Sequence, residues 1–100
     1  MKLSIADVKK IISENEAEIR KFGVEEIYLF GSVVRGEAKE TSDVDFFVVF
    51  EPSFPATYFT IVELQDFLTE ILGKQVDLGT KRSLHPALKD QIIREAVRVA

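Results

Sequence analysis

The sequence has no cysteine, one histidine, one methionine and three prolines among its 100 residues. Without cysteine there is no disulfide framework and no thiolate zinc site, which suits a reducing cytoplasm, the location expected here. No apolar stretch approaches the ~20 residues that cross a bilayer. The opening, MKLSIADVKKIISENEAEI, lacks an apolar segment followed by small residues, so no cleavable signal is expected. Positive charge is in the minority, 13 Lys and Arg against 17 Asp and Glu, for a net charge of −4. That balance disfavours a general DNA or RNA binder, whose affinity needs a cationic surplus. It leaves open a small anionic ligand held by a few local cations. Repeats, linkers and low-complexity stretches are absent as well.

What is present can fill one core. Apolar residues make up 46% of the chain. At 11.3 kDa, surface scaling leaves roughly 5,700 Å² accessible after folding from roughly 16,400 Å² before it. One domain spanning 1–100 is the expectation. Ser4 reads as an N-cap with Asp7 three residues on. Ile5, Val8, Ile12, Ile19 and Phe22 follow at helical spacing, and Gly23 suits a stop, so one helix is predicted over 4–22. Glu26 to Phe30 reads as a strand ending at Gly31, and a helical turn from Ser32 to about Glu37 follows. Val44 to Phe50 is apolar on both faces, the pattern of a central strand. A second long helix is predicted from Thr57 to Leu72, a third strand over Gln75 to Leu78, and a last helix from Pro86 to about Val97. Strands alternating with helices give an α/β layered domain, with a small sheet of about three strands. Strand order does not follow from the pattern.

Asp43 and Asp45 stand at the entry to the predicted central strand. Residues two apart share a strand face, and their Cβ atoms lie roughly 6.6 Å apart along it, so the carboxylates can converge. Two solvated acids at a strand mouth are the plain alternative. Asp77, between Val76 and Leu78 in the third strand, adds weight to a cluster if the two strands are neighbours. Two carboxylates about 4 Å apart repel by about 4 kcal/mol at an effective dielectric near 20. Such a cluster persists when protonated or neutralised by cations. Oxygen-only donors suit Mg²⁺ or Mn²⁺ rather than zinc.

The second element is Gly31-Ser32-Val33-Val34-Arg35-Gly36. A strand ending at glycine and entering a helical turn offers free N–H groups to an anion, and Arg35 shares a helix face with Ser32. The alternative is a Ser-capped turn with Arg35 paired to Asp43 or Glu37. Lesser readings are also open. His85 precedes proline and reads as an extended helix-entry residue. Lys81 and Arg82 read as a solvated loop that could meet a phosphate or an acidic partner, and Lys39 and Glu40 as turn residues. Phe54, Tyr58, Phe59 and Phe67 read mostly as core, but two of them exposed together would mark a partner surface.

Taken together, Gly31-Ser32-x-x-Arg35-Gly36, then Ser42-Asp43-x-Asp45, then Asp77 about thirty residues on, closely resemble the DNA polymerase beta-like nucleotidyltransferase superfamily. The short chain and its ending, Leu84-His85-Pro86-Ala87-Leu88 through Glu95-Ala96-Val97, are similar to the minimal nucleotidyltransferases, antitoxin partners of HEPN toxins. The resemblance implies that Asp43 and Asp45 ligate two Mg²⁺ ions (or Mn²⁺). It implies that Asp77 holds the catalytic metal and activates the attacking hydroxyl. Ser32 and Arg35, with main-chain groups at Gly31 and Ser42, would grip the triphosphate of ATP. AMP would pass to a hydroxyl, a tyrosine of a cognate all-helical HEPN-type toxin bound as an oligomer, with no membrane or direct nucleic-acid binding. One hundred residues leave no room for the acceptor domain of larger relatives, so the acceptor is expected on another molecule. A non-catalytic antitoxin acting by steric contact, and a small-molecule transferase borrowing its acceptor pocket from a second protomer, are the competing expectations. Many relatives carry a polar residue directly after Gly-Ser. Here Val33-Val34 stands there, a departure that bears on nucleotide contacts and leaves the three acids intact.

Overall fold

The structure, a computed structural model, describes residues 2–100. Ser4 caps the first helix, α1 (Ile5–Glu14), through the reciprocal pair that its sequence predicts. The Asp7 N–H donates to Ser4 Oγ at 3.1 Å, and the Ser4 N–H donates to Asp7 Oδ2 at 3.0 Å. The apolar stripe buries Val8 and Ile12. It does not run unbroken to residue 22. Asn15 ends α1, its side-chain amide donating to the Ile11 carbonyl at 2.8 Å. Local side-chain bonding of this kind competes with the helical ladder. A second short helix, α2 (Glu16–Arg20), then turns Ile19 into the core. The single predicted helix is therefore two. Arg20 holds the exit by donating to the carbonyls of Val24 at 3.0 Å and Glu25 at 2.6 Å.

Four strands form one sheet: β1 (Val24–Phe30), β2 (Val44–Phe50), β3 (Val76–Thr80) and β4 (Val97–Arg98), in the order β3-β2-β1-β4. The mixed α/β class is as expected, with one strand more. β2 runs antiparallel to β1 and parallel to β3. A parallel pair needs a long crossover, and the helix α4 (Tyr58–Leu72) supplies it, capped by Thr57 and stopped at Gly73. The fourth strand corrects the reading of the chain's last residues. The turn at Pro86 delays the last helix, α5, to Lys89–Glu95, and Val97 leaves it to pair with Leu29 of β1. Reciprocal bonds between Ile27 and the 99–100 segment fix that pairing, with Val99 N–H donating to Ile27 at 2.9 Å and Ile27 N–H to Ala100 at 3.1 Å. Among the described residues no helix is long and apolar enough to cross a membrane.

Alternation along the strands sorts the two faces. Ile27, Leu29, Val44, Phe46, Val48, Val76 and Leu78 face the helical layer and pack with Val8, Ile12, Ile19, Leu64 and Leu68. Their neighbours take the other face. There the Phe47 ring stacks on Tyr28 at 4.8 Å between centroids and meets Phe30 at 5.8 Å. Phe46 and Phe47, consecutive and pointing opposite ways, are both buried, so β2 is covered on both sides as its composition predicts. The second face also carries Asp45 and Asp77.

Candidate active site

The parallel register of β2 and β3 sets Asp45 directly opposite Asp77. Side chains at paired positions project from one face of a sheet, and adjacent strands lie about 4.8 Å apart. Asp43 precedes β2 by one residue and reaches the same rim from two residues away. The sheet thus assembles all three predicted acids at one end of its second face. Asp43 and Asp77 are exposed there and Asp45 is half-buried. Asp77 stands in solvent between two buried aliphatic neighbours because β3 is an edge strand and its second face is open at this point. Among the described residues, none of the three carboxylates has an ion-pair partner within 4 Å. Burial, then the charges of Asp77 and Asp43, push the Asp45 carboxyl up from 3.8 to about 6, against a smaller pull from Arg35.

Across β2 lies the turn that follows β1. Gly31 has φ 82° and ψ −150°, a conformation essentially restricted to glycine, and leads into a four-residue helix, α3 (Ser32–Arg35). Space imposes glycine a second time. A Cβ at this position would overlap the Asp45 carboxylate. The glycine-serine turn and the acid cluster are thus one packed unit. Arg35 extends from α3, with Nε donating to Glu37 Oε1 at 2.7 Å and Nη1 to Glu95 Oε1 at 2.6 Å. The hydrogen bond to Glu37, then the charge of Glu95, raise the Arg35 pKa above its already high ordinary value. Of the two partners expected from sequence, Glu37 is found and Asp43 is not.

A family model for the nucleotidyltransferase domain matches residues 6–99. The chain belongs to that family. It is 43% identical over 98 residues to the protein adenylyltransferase MntA of Thermococcus cleftensis, covering 97% of each chain. A solved structure described as a minimal nucleotidyltransferase superposes with TM-score 0.78 at 33% identity, covering 95% of both chains. Two crystal structures of toxin–antitoxin pairs are more distant matches. One contains AMP-PNP and gives TM-score 0.66 at 28% identity over 86% of this chain and 73% of that one. The other is an MntA–HepT pair, with TM-score 0.58 at 26% identity over 88% and 71%.

Within this nucleotidyltransferase, two clefts flank the acids. Phe30, Gly31, Arg35, Asp45, Leu88, Ile92 and Glu95 line one of about 250 Å³. The other, about 260 Å³, lies beside Asp77, Gly79, Ser83 and His85. His85 is exposed, and its Nδ1 accepts from the Ala87 N–H at 3.1 Å, the helix-entry role expected of it. Ser32 is half-buried at the start of α3. The Ser42 N–H and hydroxyl both close a turn with Lys39, at 3.0 and 2.9 Å, so its amide is already engaged. Exposure decides one reading left open. Tyr58 and Phe59 are 76% and 77% exposed, side by side at the start of α4, the exposed pair that the sequence set apart from core.

The donors present are oxygens only, and the charges of Asp77 and Asp43 bear on Asp45, which is the chemistry that a hard divalent cation neutralises. The residue types and their common rim therefore fit Mg²⁺ or Mn²⁺. Among the described residues no three His, Cys, Asp or Glu side chains are drawn together around a point that would hold a metal. Glu95 is the site residue that sequence reasoning missed. Its signal lay in the register: Val97 opposite Leu29 places Glu95 opposite Gly31, two residues further along the antiparallel pair.

Proposed function

We propose that this nucleotidyltransferase moves AMP from ATP to a hydroxyl of a partner protein, a tyrosine of an all-helical HEPN-type toxin, and so acts as its antitoxin in the cytoplasm. The observation that carries this reading is the β2–β3 register, which opposes Asp45 to Asp77 beside Gly31. The likeness to a protein adenylyltransferase and to toxin–antitoxin pairs supports the substrate and the partner.

Each residue has a part in that reaction. The Gly31 N–H, Ser32 hydroxyl and Arg35 guanidinium bind the phosphates, Arg35 as a planar fork suited to phosphate oxygens. Asp43, Asp45 and Asp77 would hold Mg²⁺, which when bound would supply neutralising charge at the reacting phosphate. Asp77, beside the second cleft, faces the incoming hydroxyl and takes its proton. The hydroxyl oxygen bonds to the α-phosphorus as the bond to the pyrophosphate oxygen breaks. Tyr58 and Phe59 give the partner an apolar foothold.

Intact-mass measurement of a co-expressed partner, after incubation with ATP and Mg²⁺, tests the proposal. Addition of AMP to a tyrosine supports it. Neutralisation of the partner with no change in its mass would assign the protein a purely steric role.

A further inference from the structure

Gly31 and Arg35, two of the donors given above to the nucleotide's phosphates, are both held by a single atom. Glu95 Oε1 accepts from the Gly31 N–H at 3.1 Å and from Arg35 Nη1 at 2.6 Å. We propose that the Glu95 carboxylate stands in for a phosphate oxygen in the nucleotide-free protein and is displaced when a triphosphate enters. The inference rests on the nucleotide reading of Gly31 and Arg35, and it names a residue that reading does not use.

Three features favour a removable occupant over a permanent brace. First, a backbone N–H and a guanidinium converging on one anionic oxygen is the arrangement that binds phosphate, and both bonds are charge-assisted. Second, Glu95 stands in the cleft that contains Asp45 and adds to the negative field on it. A second carboxylate in that cleft and an arriving triphosphate repel each other, so both do not keep these donors. Third, the backbone that follows Glu95 is anchored. The Ala96 N–H donates to Ile92 at 2.9 Å, and Val97 pairs with Leu29. Rotation about the side-chain bonds of Glu95 therefore releases both donors while the fold stays in place. Its side chain is 16% exposed, at the mouth of the cleft rather than sealed beneath it.

The consequence is selection by phosphate number. ATP brings outer phosphates to replace the bonds that Glu95 gives up. AMP brings none, and so meets an occupied site.

Calorimetry of ATP with Mg²⁺ against Glu95→Gln, Glu95→Asp and the wild type is the test. Glu95→Gln weakens the internal contact, and Glu95→Asp keeps the charge on a side chain too short to reach both donors. Both should bind ATP about ten- to 150-fold more tightly, the range spanned by one charge-assisted hydrogen bond. AMP affinity should change less, and Asp90→Asn, which removes a charge from α5 outside the cleft, should stay within about twofold. If only Glu95→Gln gained affinity, the effect would be bulk charge and the displacement idea would fail. Unchanged or weaker ATP binding with a lowered melting temperature would make Glu95 a structural brace. Should the substitutions prevent folding, the carboxyl carbon resonance of Glu95 in the wild type decides. It should move on titration with pyrophosphate and Mg²⁺, and a stationary signal refutes displacement. Absence of ATP binding in every form, wild type included, would remove the nucleotide reading along with this one, whereas equal binding in all forms removes only this one.

Discussion

Replacing Asp45 by Asn should make the metal-free protein more stable at neutral pH and leave it unchanged in acid. Folded Asp45 keeps its proton up to about pH 6, whereas its ordinary value is 3.8. Between those values the folded state binds more protons than the unfolded one, so the contribution of this group to stability falls as pH rises from about 4 to about 6. Above that window the full cost of holding the charge is present. Taken at face value, the displacement from 3.8 to about 6 corresponds to about 3 kcal/mol. Asp45 is half-exposed, and solvent screening reduces the figure to about 1 to 1.5 kcal/mol. For a domain of this length that is a rise of about 5–10 °C in melting temperature. Asn keeps the shape that packs against Gly31 and removes the charge. Melting curves of both proteins, in chelator at pH 7.5 and pH 4, should therefore differ at the first pH and converge at the second. An Asn variant less stable at pH 7.5 would show that Asp45 is held by attraction. A difference independent of pH would refute the electrostatic account.

Gly31→Ala meets both a positive φ and the Asp45 carboxylate, so urea midpoints should report a loss of about 2 kcal/mol or more, and transfer should fail as Asp45 is pushed aside. An unchanged midpoint would mean that the turn relaxes without cost. Asp77→Asn should lower AMP transfer by about 10²- to 10⁴-fold while the ATP dissociation constant stays within a few-fold of wild type; loss of ATP binding equal to that of Asp43→Asn would remove the separate role given to Asp77. Mg²⁺ and ATP together should raise the melting temperature by more than the sum of their separate effects, because each completes the other's site. Chelator should abolish the excess, and simple additivity counts against a shared site.

The site was legible where its determinants are local. Ser4 and Asp7 declare a capping box three residues apart. The Val44–Phe50 run declares a strand buried on two faces, and the acids at its mouth are visible as an Asp-x-Asp. Asn15 was opaque because its break depends on a side-chain amide turning back on Ile11, an option that a periodicity count does not see. The fourth strand was opaque for a different reason. Val97 and Arg98 make two residues of strand with no pattern of their own, and only pairing with Leu29 and Tyr28, nearly seventy positions earlier, makes them one. Glu95 inherits that opacity, since its place beside Gly31 comes from the same pairing. Tyr58 and Phe59 were undecided in another way: most of the aromatics there read as core, with an exposed pair as the alternative, and the first turn of α4 leaves these two in solvent.

The parallel pairing of β2 with β3 limits how this protein can change length. Strand side chains alternate, so the face on which Asp77 stands is a matter of odd and even. One residue inserted into β3 before Asp77 would turn its carboxylate toward the apolar layer beside Leu64 and Leu68 and bring a neighbouring aliphatic side chain to the rim. Two residues would restore the face and displace the acid from Asp45 by roughly 6.6 Å. Neither change leaves both the core and the acid cluster whole. Insertions and deletions are tolerable in segments outside this parity, such as residues 37–41 and 51–57. Variation in loop length can therefore reshape what surrounds the acids while their mutual spacing stays locked to the sheet.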